Sequence, residues 1–187
     1  MSDAPIPLEV FAALSEPEII ERYRRGTERI ERRLLDLNDD QLDMFFTPDA
    51  NAGRWSCRVL LGHLADAELS FVHRMRRTVA EEHPLLSAWD EDAFIDAGLY
   101  GKVDAAGKAI GPRLPVAGSV AVIHTLRAWH TDWLRTLAAE QWKRTALHPQ
   151  RGEQSVRVIM NYTTWHLEHH VWFLGRKLTR LLGPAAA

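Results

Sequence analysis

Two histidines one helical turn apart are the residues whose spacing most directly predicts chemistry in this chain. His166 and His170 lie in a segment with helical periodicity, and side chains four residues apart share one face of a helix. Two imidazoles so placed can bind one divalent metal ion. Nine histidines placed at random in a chain of this length would form about 0.4 such pairs. A metal site therefore also requires an inward face and a third ligand.

The predicted helix that carries this pair directs both imidazoles towards the interior. Its inward stripe consists of Ile159, Thr163, His166, His170, Phe173 and Lys177. Intervals of three and four residues keep such side chains on one face. Glu168 lies about 200° around the helix from His166 and points elsewhere. A zincin metalloprotease needs glutamate directly after the first histidine, and Leu167 occupies that place. The sequence thus excludes that class of protease.

His63 is the candidate third ligand, on a different predicted helix. It follows Val59 by four residues and Leu60 by three, so it also faces inward. Three histidines from two helices suit Zn, Ni, Fe or Co and leave positions for water and substrate, as catalytic sites do. At each position a hydrogen-bonded core histidine is the structural alternative. Three inward imidazoles weaken it, because an apolar core offers few polar partners.

Four long segments with helical periodicity predict an all-α protein, and no strand pattern competes with them. They cover residues 16–37, 57–82, 119–140 and 155–181. Short helices are predicted at 41–46 and 89–99. Some 35 residues connect the second long helix to the third, and connections of this length often cover binding sites. We predict a four-helix bundle with a long crossover between helices two and three, in a single domain spanning 1–187.

Composition excludes several classes of function. With 23 basic and 25 acidic residues, the net charge of -2 provides no strong field for nucleic acid or an anionic membrane. The single cysteine, Cys57, excludes an intrachain disulfide and indicates a reducing compartment. No secretory signal and no membrane-length apolar stretch are recognisable. We therefore predict a cytoplasmic location without nucleic-acid or membrane partners.

Other residues that could take part in chemistry have structural interpretations. The helix dipole could lower the pKa of the Cys57 thiol, although a packed small residue is the favoured interpretation. Asp66 could orient a metal ligand, or it could face solvent. His73, His124 and His130 are interpreted as partly exposed or hydrogen-bonded, and His169 as lying outside the ligand set. The tryptophans that could wall a pocket are Trp129, Trp133, Trp165 and Trp172.

Three ordered segments resemble the DinB/YfiT-like family of metal-dependent enzymes. The first, residues 54–68, has a tryptophan-led entry to helix two and a His-Leu-Ala-Asp stretch. The second has Trp-Asp-Glu at 89–91, followed by Ala-Phe. The third runs from His148-Pro149 to the His-x-x-x-His pair. Together the segments extend the resemblance over about residues 15–180, and their ordered combination is far more specific than any one of them.

The resemblance implies a four-helix bundle, often a homodimer, with a divalent metal that is commonly Ni or Zn. The three ligands of that family correspond here to His63, His166 and His170. Its activities include thiol-dependent transfer or isomerisation, and hydrolysis. The expected function is therefore a metal-dependent enzyme with a small-molecule substrate, in which the metal activates water or a low-molecular-weight thiol. The alternative is a non-catalytic helical bundle that binds a metal or small molecule. Catalytic residues beyond the metal ligands are not identified.

Overall fold

Helices make up most of the computed structural model, which describes residues 4–103, 109–110 and 113–185. The α-helices are α1 (Glu9–Ala12), α2 (Glu16–Arg24), α3 (Asp39–Leu42), α4 (Cys57–Ala80), α5 (Glu91–Asp96), α6 (Val116–Leu134), α7 (Ala139–Lys143) and α8 (Val156–Leu182). Three 3₁₀ turns span Arg25–Arg29, Arg32–Asp36 and Pro48–Ala50. Two short antiparallel pairs join β1 (Lys102–Val103) to β2 (Ala109–Ile110), and β3 (Thr145–His148) to β4 (Gly152–Ser155).

The long helices α4, α6 and α8 form the body of a four-helix bundle. Helix α4 packs against both α6 and α8, while α2 and the 3₁₀ turn after it occupy the fourth position. Serine side chains begin the two helices that carry the histidines. Ser56 Oγ accepts a hydrogen bond from Val59 N at 3.2 Å, and Ser155 Oγ accepts one from Val158 N at 3.2 Å. The predicted fold class is confirmed.

The first predicted helix is shorter than expected. Its α-helical part ends at Arg24 and gives way to 3₁₀ turns, whereas the periodicity predicted one helix over 16–37. Arg127 Nη1 donates to the carbonyl of Tyr23 at 3.0 Å, in the last turn of α2. A Cβ at Gly26 would lie 2.2 Å from the same Nη1. The buried guanidinium thus pairs with the backbone where a regular helix would have continued.

Other boundaries differ because short elements leave weak sequence patterns. The third long helix was predicted at 119–140, but α6 ends at Leu134 and α7 is separate. Neither strand pair was predicted. In the β3–β4 hairpin Thr145 pairs with Ser155 and His148 with Gly152. Strands of four residues give too few alternations to recognise, and the turn glycine has φ 72°. Parts of the predicted crossover, 104–108 and 111–112, lie outside the described residues.

The crossover is fastened at two places, first to β3 and then to α4. Near its start, Leu86 N donates to Leu147 O at 2.9 Å, which ties the segment to β3. Further on, the Tyr100 hydroxyl donates to Asp66 Oδ2 at 2.6 Å. The Tyr100 ring packs so closely on α4 that a Cβ at Gly62 would lie 2.3 Å from it. The segment between these anchors is held against the helix that carries His63.

A buried ion pair connects the helices behind the histidines. Arg127 Nε on α6 donates to Glu68 Oε2 on α4 at 2.8 Å, and the Tyr23 hydroxyl donates to the other carboxylate oxygen. Arg127 Nη2 donates to the Thr163 carbonyl of α8 at 3.0 Å. One guanidinium therefore contacts α2, α4 and α8. In the described ranges no helix is both long and apolar enough to cross a membrane.

His130 departs from the interpretation made from the sequence. It is fully buried on α6, and neither ring nitrogen has a hydrogen-bond partner among the described residues. Its ring stacks on Trp133 with centroids 4.7 Å apart. Burial, with some repulsion from Arg76, lowers the pKa of His130 to about 3. The imidazole is therefore neutral in the folded protein.

We expect His130→Phe to reduce the acid sensitivity of the fold. Between pH 6.5 and about 3 the unfolded chain binds a proton at this residue and the folded chain does not, so stability falls as pH falls. Each such group contributes at most about 1.4 kcal/mol per pH unit. Denaturant unfolding at pH 7 and pH 4.5 should show a shallower loss in the variant. His124→Phe, at an exposed site on α6, is the control, and equal losses in wild type and His130→Phe would contradict the expectation.

Candidate metal centre

The structure brings the three predicted histidines together between α4 and α8. His166 Nε2 lies 3.2 Å from His63 Nε2 and 3.2 Å from His170 Nε2. One nitrogen from each ring lies within 4.8 Å of the other two. His63 and His166 are buried and His170 is half-buried. The helical spacing of the pair and the inward position of the third imidazole produce this convergence.

The donor set fits a divalent transition metal better than it fits hydrogen bonding among the rings. A neutral imidazole nitrogen either donates one hydrogen bond or accepts one, so His166 Nε2 cannot bond well to both neighbours. Tetrahedral zinc with Zn–N distances of about 2.0–2.1 Å separates its nitrogen ligands by about 3.3 Å. The two observed separations of 3.2 Å are close to this value. Three nitrogen donors also suit nickel.

Burial and mutual repulsion keep the three imidazole rings neutral, the form in which histidine binds a metal ion. Burial lowers the pKa of His63 to about 4. Burial, and then repulsion from the neighbouring histidines, lowers the pKa values of His166 and His170 well below the usual range. His63 Nδ1 is buried without a hydrogen-bond partner among the described residues. Because their pKa values are lowered, the three imidazoles are neutral near neutral pH.

Aromatic rings enclose the cluster on several sides. Trp89 of the crossover stacks on His63 with centroids 5.1 Å apart, and Trp55 lies 4.8 Å from the same ring. Phe71 and Tyr162 lie 5.6 and 5.9 Å from the His166 ring. Most of the rings that enclose the cluster are not the tryptophans that the sequence analysis suggested for a pocket wall. Trp129 is exposed beside Arg76, and Trp165 lies 6.5 Å from His166.

Lys177 positions the loop that carries Trp55. This fully buried lysine donates to the carbonyl of Ala52 and, at 2.9 Å, to that of Gly53. Its ammonium lies 4.8 Å from the centre of the Phe46 ring. Burial lowers the pKa of Lys177 to about 8. The sequence placed it on the inward stripe of the fourth helix, but no local pattern predicted that it would hold a loop two residues before Trp55.

The other candidates from the sequence lie outside the cluster or are occupied elsewhere. Asp66 accepts from the Tyr100 hydroxyl and contacts none of the three histidines through a described hydrogen bond. Cys57 is buried at the start of α4, and burial raises the pKa of its thiol to about 11. The expected effect of the helix dipole is therefore outweighed, and the cysteine is a packed residue. Glu168 points away from the cluster and accepts from Arg22 at 2.7 and 2.8 Å.

Three other histidines considered in the sequence analysis lie outside the convergent set. His73 and His124 are exposed, the latter beside Thr27 with a hydrogen-bond distance of 3.3 Å. His169 is half-buried against Trp165 and Phe173, with ring centroids 4.7 and 5.2 Å away. It lies next to the cluster but outside the three convergent nitrogens. On α8 the helical face thus separates the two convergent histidines from His169.

Comparisons with known proteins relate this chain to a family and to several named proteins. The sequence profile of the DinB superfamily matches residues 18–174. YfiT of Bacillus subtilis is 30% identical over 178 residues, which cover 95% of this chain and 91% of that protein. Its structure is described as that of a probable metal-dependent hydrolase with an unusual four-helix bundle topology. OB0782 of Oceanobacillus iheyensis shares the hydrolase designation and is 27% identical over 142 residues, 76% of this chain and 73% of that one.

Two solved structures share the fold. The YfiT structure aligns with a TM-score of 0.74 at 23% identity and covers 92% of each chain. The crystal structure of a mycothiol-dependent maleylpyruvate isomerase aligns with a TM-score of 0.56 at 18% identity. That alignment covers 87% of this chain and 60% of the isomerase. Both alignments show similarity in fold.

Proposed function

This chain belongs to the DinB superfamily, and from that premise we propose that it is a metal-dependent enzyme acting on a small molecule. His63, His166 and His170 would hold the divalent metal. The observation that carries the proposal is the convergence of three neutral imidazole nitrogens within 4.8 Å of one another. The hydrolase designation of its relatives supports the same function.

The protein's own residues bind, orient and shield the site. When bound, a divalent ion supplies Lewis acidity that lowers the pKa of a water or thiol ligand. The three imidazoles supply nitrogen ligands and no charge, so the ion would keep its full positive charge towards substrate. Trp55 and Trp89 limit the access of bulk water to His63, which strengthens electrostatic interactions at the site. Lys177 maintains the Trp55 wall through the loop before it.

Water and a thiol are the two nucleophiles to be considered. A divalent ion held by the three histidines would lower the pKa of either one as a ligand, so neither reaction needs a free carboxylate to remove the proton. The acidic residues Asp66 and Glu68 of α4 are both engaged, Asp66 by Tyr100 and Glu68 by Arg127. The mycothiol-dependent isomerase with the same fold is consistent with thiol chemistry.

Three further parts of the proposal come from the sequence and its resemblance. We propose nickel or zinc as the ion, a cytoplasmic location, and assembly as a homodimer. A three-histidine donor set suits zinc, nickel, iron or cobalt, and the family resemblance favours nickel or zinc among these. Size-exclusion chromatography with light scattering tests the dimer, and a monomer at micromolar concentration would contradict that part alone.

Metal titration of the full-length protein tests the proposal. We expect one equivalent of zinc or nickel per chain by calorimetry, and we expect the chelator-stripped protein to stay folded by circular dichroism. An open functional site tolerates removal of its metal, whereas a structural site unfolds without it. Absence of stoichiometric binding would contradict the metal centre. Collapse on chelation would instead support the non-catalytic alternative, in which the metal stabilises the bundle.

A second assay separates the two nucleophiles. Metal-loaded protein is incubated with 1-chloro-2,4-dinitrobenzene and a panel of low-molecular-weight thiols. In the reaction that is followed, the thiol sulfur displaces chloride from the dinitrobenzene ring. A parallel assay follows hydrolysis of activated esters without thiol. We expect thiol-dependent product formation above the uncatalysed rate, and its loss in metal-free protein. Metal-dependent ester hydrolysis without any thiol-dependent reaction would favour a hydrolase.

A further inference from the structure

Two arginines close to the metal centre have no carboxylate partner in the part of the chain that the structure describes. Arg74 on α4 is half-buried, and its Nη2 donates to the carbonyl of Ser87 at 2.7 Å. Arg151, in the β3–β4 turn, is exposed, and its Nη2 donates to the Tyr162 hydroxyl at 3.0 Å. Both partners are neutral. A partly buried guanidinium without a counter-ion is costly to maintain, so an anion would be stabilised beside it.

Both cations lie two ring contacts from His166. The Arg74 Cζ is 5.6 Å from the centre of the Phe71 ring, which is 5.6 Å from the His166 ring. The Arg151 Cζ is 4.2 Å from the centre of the Tyr162 ring, which is 5.9 Å from the His166 ring. Phe71 and Tyr162 also contact each other, with centroids 5.6 Å apart. The two guanidiniums therefore share one side of the cluster, at a distance that a small molecule can span.

The positive charges of the two arginines affect pKa values in this region. Burial lowers the pKa of Arg74, and repulsion from Arg151 lowers it further. His148 is buried nearby, and burial followed by repulsion from both arginines lowers its pKa. Arg74 and His148 thus both lie in a local field that favours negative charge. That field is set by two arginines that form no ion pair with a carboxylate among the described residues.

A cavity of about 280 Å³ lies beside Arg74 and reaches Trp89, the ring that stacks on His63. Its lining includes Arg74, His73, Ser70, Asp66 and Trp89. Trp89 stacks on His63, so this ring separates the cavity from the histidine cluster. The carboxylate of Asp66 accepts from the Tyr100 hydroxyl and is not paired with Arg74. The volume lies just below that of pockets for drug-sized ligands, which suits a small metabolite.

We propose that the substrate or cosubstrate carries a carboxylate, that Arg74 anchors it in this cavity, and that Arg151, which lies on Tyr162 outside the cavity lining, provides a second positive charge. The inference rests on the proposed function, because it assigns the substrate class of the same site. A guanidinium binds a carboxylate through two parallel hydrogen bonds, and its planar geometry fixes the orientation of the carboxylate as well as attracting it. The reacting end of the molecule would then lie towards the histidines.

Thiol probes on the cobalt-loaded full chain test this inference. The probes are mercaptosuccinate, which has two carboxylates, and 2-mercaptoethanol, which has none, and the readout is the sulfur-to-cobalt absorption band. We expect wild type to bind mercaptosuccinate at least about tenfold more tightly, because a hydrogen bond to a charged group contributes that much. Arg74→Gln should lose this preference while its affinity for 2-mercaptoethanol stays unchanged. Arg151→Gln should lose part of it.

Arg76→Gln is the matched control. Arg76 stands on the same helix, but its guanidinium lies over Trp129 and Trp133, at 4.6 and 5.0 Å, away from the cavity. It should keep the full preference. A preference that persists in Arg74→Gln would mean that the carboxylates bind cobalt directly, and the inference would be overturned. Equal affinity for both thiols in wild type would overturn it as well.

A metal-free arm distinguishes this inference from the metal centre. Succinate should raise the unfolding temperature of stripped wild type more than its neutral analogue succinamide does, and this difference should vanish in Arg74→Gln. A succinate effect in a protein that binds no cobalt would contradict the proposed function and support the anion site. Cobalt binding with no discrimination between succinate and succinamide, and none between the thiols, would support the metal centre and contradict the anion site.

Discussion

Replacing His166 or His63 by alanine is expected to abolish stoichiometric metal binding. Each substitution leaves two nitrogen ligands of the three that converge within 4.8 Å. Loss of an outer partner of a ligand already costs about 10–100-fold in metal affinity, so loss of a ligand should cost more than about 100-fold. Calorimetric titration with zinc, followed by metal analysis after dialysis, measures the change. The same variants should lose any thiol-dependent activity of the wild type.

His169→Ala is the control for these variants. His169 neighbours His170 on α8, with centroids 5.3 Å apart, but it stands outside the convergent set. It should retain one equivalent of metal. Circular dichroism of all three variants without metal separates loss of a ligand from loss of the fold. A full equivalent of tightly bound metal in both His63→Ala and His166→Ala would rule out the proposed ligand set.

Arg127→Met is expected to destabilise the protein by about 3–5 kcal/mol. The guanidinium is 1% exposed, and it bonds to Glu68 and to the carbonyls of Tyr23 and Thr163. Methionine fills much of the space but leaves a buried carboxylate and two carbonyls without this donor. Removing one partner of a buried ion pair costs far more than the pair itself contributes. Urea unfolding, with constant slope, measures the difference.

A double variant tests whether the cost arises from the isolated charge. Arg127→Met combined with Glu68→Leu removes both charges, so the loss should be smaller than the sum of the two single losses. Arg135→Met serves as the surface control. Its ion pairs with Glu21 and Asp132 are 3.5 Å long and solvent-exposed, and such pairs contribute about 0–1 kcal/mol. A loss below about 1 kcal/mol in Arg127→Met would mean that the network is not important for stability.

Helical periodicity was sufficient to predict the parts of the molecule that are long and regular. Helices α4 and α8 begin within one residue of the predicted positions because serine caps and inward stripes are local features. The spacing of His166 and His170 determined that they share a face, and the place of His63 among apolar residues determined that it faces inward. Three-dimensional convergence of these rings follows once the two helices pack on each other.

Short elements and long-range polar contacts could not be predicted in the same way. The first helix stops at Arg24 beside a guanidinium that comes from α6, about a hundred residues later. The walls at Trp55 and Trp89 depend on a loop held by Lys177 and on a crossover held by Tyr100. Such contacts have no signature within a window of neighbouring residues, since each joins groups that are distant in the chain.

The sequence by itself determined the fold class and the inward faces of the three histidines, because both follow from the period of a helix. Only the tertiary structure decided which neighbours surround those histidines. It buried His130 with no polar partner among the described residues, kept Cys57 and Asp66 out of the histidine cluster, and placed Arg74 and Arg151 on one side of His166. The physical reason is that burial, charge pairing and cavity shape depend on the packing of several elements at once, which no single helix encodes.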